Sequence, residues 1–415
     1  MLTPIRFDGS NMRSDDSYIA GLFEQRTQGY ALPQGLYMSD AAFEFDMRAI
    51  FGRSWLQAGF EAEIRDVGSY FTVEMGKTSI VIVRDRDSQV RAFMNTCRHR
   101  GARICAEGAG SARRLVCPYH QWTYDLSGKL IHAKNMGEGF DTSDFGLTSV
   151  RCETAAGVIF IALSDDVPPF EPFRNAIEPL LGPHNLKDAK VAHAMVIEEE
   201  ANWKLVMENA RECYHCNARH PELLCAFRDP SGDDDYFNGT PVYMKEFEEK
   251  CKSLGYKVGP EEGDWYDMLR FPLAEGAASL TTDGKLGSKK MMLPAPLEGL
   301  GSFRWATEPQ TFNHACADHL FTFEAWPVSA TRTHVKAKWL VHKDAVEGVD
   351  YNVEHLTELW RMTNDQDLWL SENNHRGVAN PGYRPGPYSK VDEPKLMDFV
   401  DWYCRRAESY LKKSV

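Results

Sequence analysis

The rhythm of apolar and polar positions changes several times along the chain. Residues 40–58 place apolar side chains at helical spacing and predict a short amphipathic helix ending near Trp55. From about Gly59 to Leu163 the period falls to two. Short runs rich in β-branched and aromatic residues, such as Tyr70 to Val73, Ser79 to Val83 and Val158 to Ala162, alternate with Gly and Asp turns. That texture predicts a small all-β module, punctuated at its end by Pro168, Pro169 and Pro172. Beyond it Trp203, Val206, Met207, Ala210 and Tyr214 recur at helical intervals and predict a helix over Asn202 to Cys216. Residues 302–342 return to strand texture, for example His319 to Trp326 and His334 to Val341. Helices are expected again from about Val353 to Asn374 and from about Pro394. The pattern describes an α+β chain in which a β module precedes a larger mixed domain.

Composition narrows the class. The 415 residues leave room for two or three domains, and 43% hydrophobic with 26% charged residues is ordinary for a soluble globular protein. A net charge of -13 argues against a nucleic-acid partner, because a polyanion needs a basic face. Basic residues gather once, at Arg98, Arg100, Arg103, Arg113 and Arg114. Met1 to Ser10 has no apolar stretch of signal-peptide length, and the strongest apolar run, Gly157 to Leu163, is far too short to cross a bilayer, so a cytoplasmic protein without membrane contact is expected. The ten cysteines form no dense framework. Cys105, Cys152, Cys225, Cys251, Cys316 and Cys404 are expected as small buried hydrophobes. Cys213 and Cys216 spell C-x-x-C without a thioredoxin-like context, so no redox disulfide is expected there.

The remaining two cysteines carry chemistry. Cys97-Arg98-His99-Arg100-Gly101 and Cys117-Pro118-Tyr119-His120-Gln121-Trp122 form C-x-H, seventeen intervening residues, then C-x-x-H. A structural zinc is the competing reading. Zinc fingers, however, usually group cysteines with cysteines, whereas here each loop offers one thiolate and one imidazole. An iron–sulfur cluster of Rieske type takes both thiolates on one iron and both imidazoles on the other, and a matched loop pair supplies that set. Two neutral imidazoles also raise the cluster potential, which suits one-electron delivery. His132, downstream, is expected at a strand end.

A second constellation lies in the predicted helix. Glu208, Glu212 and His215 fall at i, i+4 and i+7, and His220 follows five residues later, before Pro221. On a continuous helix His220 would point away from His215, but Pro221 disfavours helix at His220, so the chain can turn back. Two histidines and one carboxylate form the facial set of non-haem Fe(II). Thr363-Asn364-Asp365-Gln366-Asp367 offers two carboxylates. Asp367 continues the stripe of Leu356, Leu359, Thr363 and Leu370, and is the choice; Asp365, among Glu358, Arg361 and Glu372, is the alternative.

The CRHRG and CPYHQW segments resemble the signature of the Rieske non-haem iron oxygenases, and the stretch from Asn202 to Pro221 resembles their catalytic-domain motif. The resemblance extends from about Tyr30 to the carboxyl terminus. It implies an all-β Rieske [2Fe-2S] domain followed by a helix-grip (START-like) catalytic domain with a central antiparallel sheet. The expected boundaries are 1–51 for an amino-terminal segment packing on the catalytic domain, 52–165 for the Rieske domain and 166–415 for the catalytic domain. It further implies that Cys97, His99, Cys117 and His120 hold the cluster, that His215 and His220 bind a mononuclear Fe(II), and that the spacing to Glu372 favours Asp367 as third ligand. Family members are rings of three, fed singly with NADH-derived electrons by a separate flavin or iron–sulfur reductase. The arginines near Cys97 either dock that reductase or form a solvated face.

Most of the family has aspartate where this chain has Glu212, in contact with the cluster histidine of one subunit and the iron histidine of the next. Either carboxylate can accept from both rings, so Glu212 is the expected electron-transfer bridge. Glutamate here, with Glu212-Cys-Tyr-His215-Cys and Pro385-Gly-Pro-Tyr-Ser389, resembles the quaternary-ammonium branch, chiefly the glycine betaine and stachydrine demethylases. The implied reaction uses O2 to hydroxylate an N-methyl group, and the carbinolamine collapses to formaldehyde and a demethylated amine. A cationic substrate calls for aromatic faces, for which Trp265, Tyr266, Trp305, Phe321, Phe323 and Trp326 are candidates. Two other readings compete. An aromatic-ring dioxygenase shares every metal ligand, but Glu212 weighs against it. A Rieske electron carrier fused to a ligand-binding domain leaves His215, His220 and the acidic pair unexplained.

Overall fold

The computed structural model describes residues 12–105, 108–228, 242–294 and 299–414. The leader reading of Met1 to Ser10, and the start of the expected segment 1–51, lie outside the described residues. Three helices, Met12–Glu24, Gln34–Met38 and Asp40–Ala49, come first. Ser39 caps the third by accepting the Ala42 backbone N–H at 3.1 Å. The helix expected over 40–58 ends at Ala49. Leu56–Phe60 is instead a strand paired with Val158–Ala162, and every one of its residues is buried. A short run buried on both faces carries no periodicity that separates it from helix.

The β module follows the predicted texture. Its larger sheet has seven strands in the order Leu56–Phe60, Val158–Ala162, Ser149–Ala155, Val90–Met94, Thr78–Arg84, Ser69–Met75 and Ala109–Ser111. A smaller sheet of Leu115–Val116, Thr123–Tyr124 and Leu130–His132 lies beside the motif loops, with His132 at its strand end as expected.

The second sheet also has seven strands, all antiparallel to their neighbours: Lys190–Glu199, Arg332–Val341, His319–Ser329, Thr311–Ala315, Ser302–Thr307, Tyr266–Phe271 and Glu261–Gly263. Strand alternation sends Phe321, Phe323 and Ala337 into one core with Trp203, Val206, Leu356, Leu359 and Trp360 of the helices. Phe303, Trp305, Leu320 and Leu340 enter another core with Phe160, Phe173 and Ile177. The sheet thus grips the helix Val353–Val378 on one face, as the helix-grip expectation requires.

The closing helix Pro394–Ser414 ties the chain ends together. Asp46, fully buried, accepts from Tyr403 Oη and Trp203 Nε1, each at 2.9 Å, and pairs with the buried Lys204 ammonium. Among the six cysteines expected as buried hydrophobes, Cys105, Cys251, Cys316 and Cys404 are buried. Cys152 is half-buried and Cys225 exposed, which corrects the expectation for Cys225.

Candidate active site

The two loops of the first motif are built alike. Cys97 N–H donates to Ala102 O at 2.8 Å and Gly101 N–H to Cys97 O at 2.9 Å; Cys117 N–H donates to Trp122 O at 2.8 Å and Gln121 N–H to Cys117 O at 3.0 Å. Both turns need a left-handed residue at the same place, Gly101 at φ 76° and Gln121 at φ 61°. Cys97 and Cys117 are buried, while the imidazoles lie outward with ring centroids 4.6 Å apart. Tyr124 Oη sits 3.3 Å from Cys97 Sγ and accepts the Arg98 N–H. Trp122 stacks on His99 at 4.8 Å. His99 Nδ1 is buried and has no hydrogen-bond partner, a state that costs free energy unless something else fills the place. Two inner thiols, two outer imidazoles and that orphaned nitrogen fit a cluster with sulfur on its inner iron and nitrogen on its outer one. Tyr119, 57% exposed, stacks on His120, and Arg100 covers Tyr119.

At the second constellation the helix runs only from Trp203 to Asn209, which corrects the expected span to Cys216 and removes the stripe of Glu208, Glu212 and His215. Just past the break the Arg211 guanidinium reaches across to Glu308, at 3.2 and 2.9 Å, and to Thr311 O at 2.9 Å. Glu208, in the last turn of that helix, faces Tyr37 Oη and Tyr388 Oη rather than the histidines. A turn follows, then the short helix Cys216–Arg219, with His220 at its end in a non-helical conformation before Pro221. The turn brings the Cys213 and Cys216 Cα atoms to 4.9 Å and the two are joined in a disulfide, contrary to expectation. Loop proximity, which spacing alone does not reveal, decides this.

The turn delivers both histidines to one point. Their Nε2 atoms are 3.0 Å apart, and Asp367 Oδ1 stands 3.2 Å from His215 Nε2 and 3.1 Å from His220 Nε2. Asp365, on the far side of the helix, is exposed. Asn209 Nδ2 donates to Asp367 Oδ1 at 3.0 Å. His215 Nδ1 lies 2.5 Å from Glu212 Oε1, while Glu212 Oε2 accepts the Tyr214 N–H. A carboxylate only accepts, so neutral His215 keeps its proton on Nδ1 and turns the Nε2 lone pair inward. Three electron-rich atoms crowded together repel unless a cation lies among them. Ligands on one octahedral face, each about 2.1 Å from the ion as imidazole nitrogens are, stand about 3.0 Å apart. The observed separations fit that face. Burial opposes charge on His215, but Asp367 and Glu212 outweigh it and push its pKa up to about 10, so the two carboxylates favour a positive charge at this point, as a proton on the ring or as a metal ion in its place.

A cavity of about 350 Å³ opens on these three residues. Of the predicted aromatic residues, Tyr266, Phe321 and Phe323 line it; Trp265, Trp305 and Trp326 do not. Trp265 packs on Phe173 with centroids 4.7 Å apart, and Trp305 stacks on Phe303 in the opposite core. Alternation sends Arg304 and Ala306 to the cavity instead of Trp305. Sequence reading missed Phe227, Phe312, Trp360 and Trp402 in the lining. Trp360 was legible, since Trp360, Thr363, Asn364 and Asp367 share one helix face. Its ring is covered by Phe321 at 4.4 Å and His314 at 4.9 Å, so it braces the wall. Eight carboxylates and four cationic side chains line the cavity; Glu308, Asp267 and Glu262 are paired with Arg211, Arg304 and Lys395, and the balance of charge on the wall is negative.

A two-loop cluster site joined to a sheet-and-helix domain with a two-histidine, one-carboxylate face defines a class, and residues 186–409 match the ring hydroxylating alpha subunit (catalytic domain) family and residues 54–151 the Rieske [2Fe-2S] domain. The chain belongs to the ring-hydroxylating alpha-subunit family and is a Rieske non-haem iron monooxygenase, whose cofactors are a [2Fe-2S] cluster and a mononuclear iron. It is 43% identical over 395 residues to the glycine betaine monooxygenase oxygenase subunit of Pseudomonas aeruginosa strain UCBPP-PA14, covering 93% of this chain and 91% of the relative. The same subunit of Chromohalobacter salexigens is 41% identical, with 92% and 87% covered. Among solved structures, the quaternary ammonium Rieske monooxygenase CntA with L-carnitine superposes at TM-score 0.68 over 91% of this chain and 96% of that one. At 24% identity it bears on the fold alone.

Proposed function

We propose that this chain is the terminal oxygenase component of an N-demethylating monooxygenase for a quaternary ammonium compound of glycine betaine or stachydrine type. The observation that carries the reading is the cavity: it opens on His215, His220 and Asp367 and has an acidic wall with aromatic faces. Relatives named glycine betaine monooxygenase oxygenase subunits support it across nearly the whole chain.

In this reading Cys97, His99, Cys117 and His120 hold the [2Fe-2S] cluster, and His215, His220 and Asp367 hold the mononuclear iron, which supplies dioxygen activation when bound. Residues 52–165 and 166–415 are the corresponding domains, with the described part of 1–51 packed on the second. Phe321, Phe323 and Tyr266 confine the substrate and keep water from its methyl groups. The acidic wall disfavours purely anionic competitors. Glu212 holds His215 by Nδ1 and lies at the rim of a recess with Tyr383, Tyr388 and Glu393. A second copy of the chain, within a ring of three, presents its outward His99 and His120 there, so Glu212 joins the two centres. A separate flavin or iron–sulfur reductase delivers NADH-derived electrons in the cytoplasm. Among the described residues no helix is long and apolar enough to cross a membrane.

The test is formaldehyde release from glycine betaine, stachydrine, choline and carnitine, with a reductase and NADH. Formaldehyde equimolar with NADH oxidised is expected from at least one. No release from any of the four, by protein with a Rieske paramagnetic resonance signal and one further iron per chain, would refute the substrate class.

A further inference from the structure

His215 and His220 are held by different kinds of partner. Glu212 Oε1, a carboxylate oxygen, meets His215 Nδ1, whereas His220 Nδ1 meets a neutral amide, Gln366 Oε1, at 2.7 Å. An amide can turn either end toward a ring, so its other contact decides the assignment. Gln366 Nε2 lies 3.0 Å from Glu222 Oε2. An ionised carboxylate has no proton to give, so the NH2 end of Gln366 faces Glu222 and its oxygen faces His220. The ring must then donate its Nδ1 proton. Its Nε2 keeps the lone pair, aimed at the point shared with His215 and Asp367.

We propose that Gln366, braced by Glu222, is a positioning residue that fixes the tautomer and orientation of His220 for metal binding. This rests on the reading of His215, His220 and Asp367 as iron ligands. Gln366 directly precedes Asp367 on the helix Val353–Val378, and Glu222 follows His220 by two residues. The relay therefore ties together the two segments that supply ligands. It also makes the histidines unequal. A carboxylate partner raises the basicity of His215, while a neutral amide leaves His220 the weaker donor. The ring that joins the electron-transfer bridge is the more strongly held.

The experiment measures anaerobic Fe(II) affinity of the full chain with its cluster intact, by competition with a chromophoric chelator and metal analysis. Cluster absorbance and thermal midpoint serve as controls for folding. Gln366→Ala is expected to weaken Fe(II) binding roughly ten- to hundredfold. Glu222→Gln should weaken it less, and add nothing in the Gln366→Ala background, because it acts only through Gln366. The exchange pair Gln366→Glu with Glu222→Gln still presents an acceptor to His220 and should recover most of the affinity. Wild-type affinity in Gln366→Ala, or an undiminished Glu222→Gln effect in that background, would overturn the proposal. Fe(II) binding left unchanged by His215→Ala would instead overturn the ligand assignment on which it rests.

Discussion

Replacing Glu212 by Gln probes the link between the two centres with a near-isosteric change. In the native chain both carboxylate oxygens accept, one from His215 Nδ1 at 2.5 Å and the other from the Tyr214 N–H. Glutamine has one acceptor oxygen, so one of the two contacts becomes donor against donor. The loss is that of one hydrogen bond to a charged group, about 1.5 kcal/mol, or roughly tenfold in iron affinity. Excess Fe(II) restores loading, which separates affinity from electron transfer. Stopped-flow absorbance then follows reoxidation of the pre-reduced cluster on mixing iron-loaded enzyme with O2 and substrate. The expected rate falls roughly ten- to hundredfold, the usual range for losing a group that orients a metal ligand. A wild-type rate in fully loaded Glu212→Gln would refute the bridging role, whatever happens to affinity.

Three further outcomes follow from other parts of the molecule. Asp46→Asn leaves the buried Lys204 ammonium without its counter-charge and should cost about 3–5 kcal/mol in chemical unfolding; a loss under 1 kcal/mol would contradict the pairing. Burial pushes the Glu208 carboxyl up to about 7, against the opposing pull of the Tyr37 and Tyr388 hydroxyls. Native Glu208 therefore binds its proton more tightly than the unfolded chain does, and stability falls as pH rises from the ordinary carboxylate range to about 7; Glu208→Gln should flatten that part of the stability–pH curve. Phe323→Leu keeps an apolar wall but removes an aromatic face, so KM for the quaternary ammonium substrate should rise about 2- to 30-fold with kcat little changed, and an unchanged KM would remove Phe323 from the binding wall.

Much of this protein was legible in its residues because the signals are local. The paired loops at Cys97 and Cys117 declare themselves by spacing, since one short turn must bring a cysteine and a histidine together. Pro221 announces that the chain leaves the helix at His220. The stripe through Leu356, Leu359 and Thr363 predicts which face Asp367 shares, and the structure sets Asp367 beside both histidines while Asp365 is exposed. Tertiary contacts decided the rest. Apolar periodicity carried the predicted helix to Cys216, but the helix stops at Asn209, beyond which Arg211 reaches to Glu308 on a distant turn and Thr311 on a distant strand. That break, invisible to any window of sequence, lets the chain turn and carry His215 to His220. The cavity shows the same division: aromatic residues at strand spacing could be recognised, but which of them face the cavity depends on register across the sheet. Met268 opposite Trp305, for instance, places that tryptophan in the other core. Sequence alone determined the ligand types and the two cysteine–histidine loops, because those depend on near neighbours. Only the folded chain chose the partner of His220 and the substrate wall, because each joins residues more than a hundred positions apart, as Gln366 does with His220 and Glu222.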